Sequence, residues 1–102
     1  MAAPRERSME VGMLTLQLHL HAAESLKDKR RVIRSLMERA RSRHNVAVAE
    51  VDHQDLLQRA EIAFLGVASG RDAIERMFDQ IVAEAERSVP GDVIELDREF
   101  LG

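Results

Sequence analysis

The run G-M-L-T-L-Q-L-H-L-H, Gly12 to His21, sets a leucine at every second residue from Leu14 on. Leu14, Leu16, Leu18 and Leu20 fall on one side of a pleated chain, with Met13, Thr15, Gln17, His19 and His21 on the other. A helix would spread those four leucines over both of its sides, so the run reads as a half-buried strand. The sheet it joins therefore needs a roof over one face.

The next segment supplies that roof. Leu26, Ile33, Leu36, Met37 and Ala40 share one side at helical spacing, with Lys27, Arg30, Arg31, Arg34, Glu38 and Arg41 opposite. Ser25 followed by Asp28 fits a capping box with a shortened acid, so a helix is predicted from about Leu26 to Arg43. Lys29 falls at the edge of the apolar side, where a snorkelling stem is expected. Asn45–Val51 and Ala60–Ala68 read as strands, the latter apolar on both faces and hence central. Ser69 and Asp72 repeat the start signal. Ile74, Met77, Phe78, Ile81, Val82 and Ala85 then mark a second helix. Pro90-Gly91 closes the connection, and Asp92–Leu101 is a last strand with Ile94, Leu96 and Phe100 sharing a face.

The order βαββαβ predicts an α+β, ferredoxin-like sandwich. It has a four-stranded antiparallel sheet, the first and third strands central, and two helices on one face. Residues 1–10, polar and interrupted by Pro4, read as a flexible N-terminal arm, and residues 11–102 as the single domain. The helix-free sheet face, with Met13, Ile62 and Phe64 or their neighbours to cover, predicts a homodimer or larger closed oligomer.

A chain of 102 residues supports one core. It has no Cys, so disulfides and Cys-based zinc sites are excluded. No apolar run approaches the roughly 20 residues of a membrane span. The opening M-A-A-P-R-E-R-S-M-E lacks the apolar centre of a secretory signal. A cytoplasmic protein without a membrane partner is expected.

The net charge of −3 conceals an asymmetry. Ser25 to Arg43 holds eight cations against two acids, a local +6, so the other residues sum to −9. Five of those cations, Lys27, Lys29, Arg30, Arg31 and Arg34, crowd the start of a helix, the end whose dipole opposes them. A solvated surface would tolerate this, whereas a bound phosphate would relieve both the mutual repulsion and the unpaired N–H groups. Lys27, Arg30, Arg31, Arg34 and Arg41 are the candidate anion- or RNA-binding residues. The aromatics are Phe64, Phe78 and Phe100 alone, and the ribonucleoprotein consensus is absent. RNA would thus be held through backbone and shape, not by stacking on the sheet.

The other polar cluster is D-H-Q-D-L-L-Q-R, Asp52 to Arg59. Its acids and His53 could serve acid–base chemistry, or simply satisfy loop backbone. No serine stands beside a base, and P-loop and Rossmann glycine patterns are missing. His19 and His21 stand roughly 7 Å apart along a strand, an awkward span for joint ligation, and no H-x-x-x-H spacing accompanies them. A non-enzymatic protein with no metal and no cofactor is expected. A hydrolase or metal enzyme using His19, His21, His53 and Asp55 ranks last.

Two stretches together resemble the YlxP-like family, small bacterial proteins filed as a domain of unknown function. They are S-L-K-D-K-R-R at Ser25–Arg31 and V-A-E-V-D-H-Q-D-L-L-Q-R-A at Val48–Ala60. The resemblance spans roughly Val11 to Leu101. Leu57 departs from it, since the family often carries Trp there, and the arm before Met9 is extra. The resemblance implies the ferredoxin-like fold already read from periodicity. It also implies a gene neighbourhood of transcription-termination, translation-initiation and ribosome-maturation factors. Residues carried over are Ser25, Leu26, Lys27, Lys29, Arg30 and Arg31, then Glu50, Asp52, His53, Gln54, Asp55 and Arg59. The expectation is an accessory factor bound to RNA or a ribosomal particle, with the 52–59 loop shaping the site. The alternative is a homo-oligomeric protein-interaction module with no nucleic-acid ligand.

Overall fold

The computed structural model describes residues 9–101. Of the expected arm, residues 1–8 lie outside this range, while Glu10 already belongs to the first strand. The elements are β1 (Glu10–His19), α1 (Leu26–Arg43), β2 (Val46–Asp52), β3 (Arg59–Ala68), α2 (Arg71–Ser88) and β4 (Asp92–Leu101). All pairings are antiparallel and the strand order is β2-β3-β1-β4, with β1 and β3 central. This is the ferredoxin-like arrangement.

Leu14, Leu16 and Leu18 of β1 and Leu20 just past its end are fully buried, facing the helices. They meet Ala60, Ile62 and Phe64 of β3, Ile33, Leu36 and Ala40 of α1, and Ile74, Phe78, Ile81 and Ala85 of α2 in one cluster. Gly12 and Gly66 are register partners beneath Phe78. A Cβ on Gly12 would come within 3.0 Å of the Phe78 ring and of Ile74. The missing side chains let the aromatic lie close to the sheet.

Three details of the sequence reading change. Ile62 and Phe64 point to the helices, so the other face of β3 carries Ala63, Leu65 and Val67. In β4 the register against β1 shifts between Thr15 and Leu16, leaving Leu96 as the extra residue. That bulge breaks the period of two. Val93 and Phe100 are half-buried toward the helices, while Ile94 and Leu96 are exposed, so Ile94, Leu96 and Phe100 do not share a face. Finally, α2 is capped by Gly70 without a side-chain bond, so Ser69 is not its cap. The first start signal does operate: Ser25 Oγ accepts from the Asp28 amide at 3.1 Å.

Ile33 is buried, whereas Met37 is only partly so. We expect Ile33→Ala to cost about 2–4 kcal/mol in denaturant unfolding, and Met37→Ala less. Equal, negligible losses would misplace the buried side of α1.

Candidate functional site

The exposed side of α1 carries the cations. Lys27, Arg30, Arg31 and Arg34 line one shallow open groove of about 560 Å³ with Ser35 and Glu38. Arg31 lies 3.5 Å from Asp28, a solvent-exposed i,i+3 pair. Among the described residues, no carboxylate stands within 4.0 Å of Lys27, Arg30 or Arg34. Arg41 lines an adjoining hollow with Arg30, Arg34 and Glu50. Its Nη2 also donates to the Val48 carbonyl at 3.0 Å, so part of its hydrogen-bonding capacity ties α1 to β2.

Lys29 behaves differently from its neighbours. It does not snorkel but turns inward, 1% exposed. Its Nζ donates to the carbonyls of His53 at 2.5 Å and Leu56 at 2.7 Å. Glu50 Oε2 lies 3.1 Å away, close enough for an ion pair but not aligned as a hydrogen bond. The two stretches that carry the family resemblance therefore meet at one ammonium. Part of the cation cluster at the start of α1 is structural.

The loop that receives Lys29 is folded for it. His53 takes φ 63°, the left-handed region. Asp52 Oδ1 accepts from the His53 amide at 2.7 Å, and the Leu56 amide donates to the His53 carbonyl at 3.1 Å. This short polar turn presents carbonyls to the lysine. Gln58, which the sequence reading passed over, donates to the carbonyls of His21 at 3.1 Å and Ala23 at 3.4 Å. It ties the loop to the β1–α1 connection. Gln54 and Asp55 are exposed on the loop, and Arg59 is exposed at the start of β3, paired in register with His19. None of Asp52, His53, Gln54, Asp55 and Arg59 lines the basic groove. The loop supports the groove's helix and does not form its wall.

The helix-free face of the sheet has two ends. The apolar end includes Val11 and Met13 on β1, Leu65 and Val67 on β3, Ala47 on β2 and Leu101 on β4. Leu65 is 48% exposed. The polar end brings Gln17, His19 and Arg59 together with Asp92, and Glu61 with Asp52. On β4, the neighbouring Asp97 carboxylate, through a hydrogen bond and its charge, holds Glu99 above the ordinary carboxylate range. On the opposite face, Arg98 reaches Glu95 at 2.8 Å and Asp79 at 2.9 Å, joining β4 to α2. Burial opposes its charge, but these two acids outweigh burial and hold its guanidinium above its usual range.

Fold and site together define a small ferredoxin-like α+β domain with a cationic helix face. The chain belongs to the family described as "Protein of unknown function (DUF503)", whose profile matches residues 11–98. The uncharacterized protein YlxP of Bacillus subtilis (strain 168) is 28% identical over 85 residues, covering 78% of this chain and 92% of that protein. Among solved structures, the structural-genomics protein YJCS matches with TM-score 0.54 at 9% identity, covering 93% of this chain and 98% of that one. The de novo designed Foldit4 matches with TM-score 0.53 at 16% identity, covering 92% and 97%. A variant of SnoaB, a cofactor-independent oxygenase from Streptomyces nogalater, matches with TM-score 0.52 at 12% identity, covering 91% of each chain. At these identities the structural likenesses speak to fold alone. Among the described residues, no helix is long and apolar enough to cross a membrane.

Proposed function

We propose that this chain is a non-enzymatic, cytoplasmic accessory factor of bacterial translation or ribosome maturation that binds RNA or a ribosomal particle by its backbone phosphates. The observation that carries this reading is the groove on α1. Four cations line it, and three of them have no carboxylate within ion-pair distance among the described residues. From Lys27 to Arg34 the helix rises about 10 Å, and to Arg41 about 21 Å, enough to follow several phosphates of one strand. Arginine forks grip phosphate oxygens bidentately, and Lys27 adds a point charge. Phe64 and Phe78 are buried, and the Arg71 guanidinium covers Phe100 at 3.5 Å, so none of the three offers bases an open stacking platform. Recognition then rests on charge and shape.

A salt titration of binding to ribosomal RNA tests this. Each phosphate contact on a single strand contributes about −0.7 to the slope of log affinity against log salt. Three to four contacts give a slope of about −2 to −3. A flat titration, or no binding at low salt, rejects the reading.

We also propose self-association through the apolar end of the open sheet face, favoured by the exposed Leu65, Val67 and Leu101. The parent should sediment as a dimer at high micromolar concentration, and Leu65→Lys as a monomer. A monomeric parent removes this second reading.

A further inference from the structure

We propose that the polar end of the open sheet face is a binding site for a divalent transition metal, with His19, His21 and Asp92 as ligands and zinc as the representative ion. The sequence sets His19 and His21 at an awkward strand spacing and groups them with His53 and Asp55, not with Asp92. The fold adds the third ligand, because β1 and β4 pair antiparallel and Asp92 is the register partner of His19.

The geometry is close to what an ion needs. His21 Nε2 lies 2.8 Å from Asp92 Oδ2. The two imidazole rings stand edge to face, 6.0 Å apart by centroid. One ligand atom from each of the three residues lies within 4.8 Å of the other two. Four-coordinate zinc with bonds of about 2.0–2.1 Å sets its donors about 3.3 Å apart. The hydrogen-bonded His21 and Asp92 would open slightly to that spacing and turn toward His19, and both side chains are 64% exposed and free to do so. His19 is half-buried on the strand, and the Gln17 amide nitrogen lies 3.4 Å from its Nε2; with the amide turned to present its oxygen, it would accept the Nε2 proton of a ring that ligates through Nδ1.

The backbone holds Asp92 in place. Gly91 has φ 155°, and a Cβ there would stand 1.9 Å from the His19 carbonyl oxygen. Only glycine lets the turn press onto the end of β1 and deliver Asp92 to the histidines. Two imidazoles and one carboxylate suit zinc, copper or nickel over magnesium or calcium. Arg59, across the register on β3, opposes a bound dication, and Asp92 supplies the compensating charge. A second group, Asp52, His53 and Glu61, also gathers within 4.8 Å, but it offers one imidazole and two carboxylates, a poorer set for zinc.

The test is calorimetric titration of the full, tag-free chain with zinc chloride, paired with thermal melts and imidazole proton–nitrogen spectra. One zinc per chain is expected. The melting temperature should rise with zinc concentration, as selective binding to the folded state requires. His21→Ala and Asp92→Asn should each weaken zinc tenfold or more, with zinc-free melting temperatures close to the parent's because both side chains are exposed. His53→Ala should bind as the parent does, and only the His19 and His21 rings should shift. Three outcomes overturn the proposal: absence of binding, parent-like binding by both ligand variants, or loss confined to His53→Ala.

Discussion

Lys29→Met should destabilise the domain by about 3–5 kcal/mol, the range for breaking one side of a buried charge pair. The methionine would keep the stem's packing but leave Glu50 without its counter-ion. The carbonyls of His53 and Leu56 would also lose a donor each. Glu50→Gln should cost less. Its side chain is 22% exposed and its contact with Lys29 is not aligned as a hydrogen bond. The Lys29→Met/Glu50→Gln double variant should therefore lie closer to Lys29→Met than to the sum of the singles, since the two changes share one interaction. Urea unfolding of the three variants measures this. Should Lys29→Met fall within about 1 kcal/mol of the parent, below the range for broken buried pairs, the ammonium is not what joins α1 to the 53–56 turn.

That lysine also shows where sequence reading stops. A helical wheel puts Lys29 beside the apolar stripe, and a long stem there ordinarily reaches for solvent. What draws it inward is a set of carbonyls turned up by the left-handed His53, twenty-four residues away, and no periodicity reports a backbone dihedral. The leucines of β1 were legible because a period of two has only one way to bury them. Both faces of β3 were legible as apolar, and so was its central place. The side chains of β4 were not, because one inserted residue at Leu96 exchanges the faces and leaves no compositional mark. At the candidate site, the sequence placed Lys27, Arg30, Arg31 and Arg34 together on one side of a helix, and the structure lines one groove with them. It could not show that the 52–59 loop serves α1 from beneath, or that Gln58 clamps the β1–α1 connection. Those are contacts between segments, fixed by topology.

The remaining cations carry the final prediction. Lys27, Arg30, Arg31 and Arg34 form four neighbouring pairs of like charge at i,i+3 or i,i+4. Each such pair opposes the helix by about 0.2–0.5 kcal/mol. The dipole of the first turns opposes them further. The one compensating pair, Arg31 with Asp28 at 3.5 Å, is exposed on both sides and contributes little. Replacing Arg30, Arg31 and Arg34 together by Gln removes all four repulsions and that single attraction, so the melting temperature should hold or rise slightly. Binding to ribosomal RNA should weaken at the same time, with the salt slope flattening by up to about 2, the share of three phosphate contacts on a single strand. A merely solvated face would give the same melting temperature but leave RNA binding and its salt slope unmoved, and a structural ion-pair network would lower the melting temperature. Since Lys29 is untouched, the variant keeps its tie to the 53–56 turn, and a change in binding cannot be laid to a loosened helix. If the triple variant melts lower and binds RNA with an unchanged salt slope, these arginines hold the fold and not phosphate.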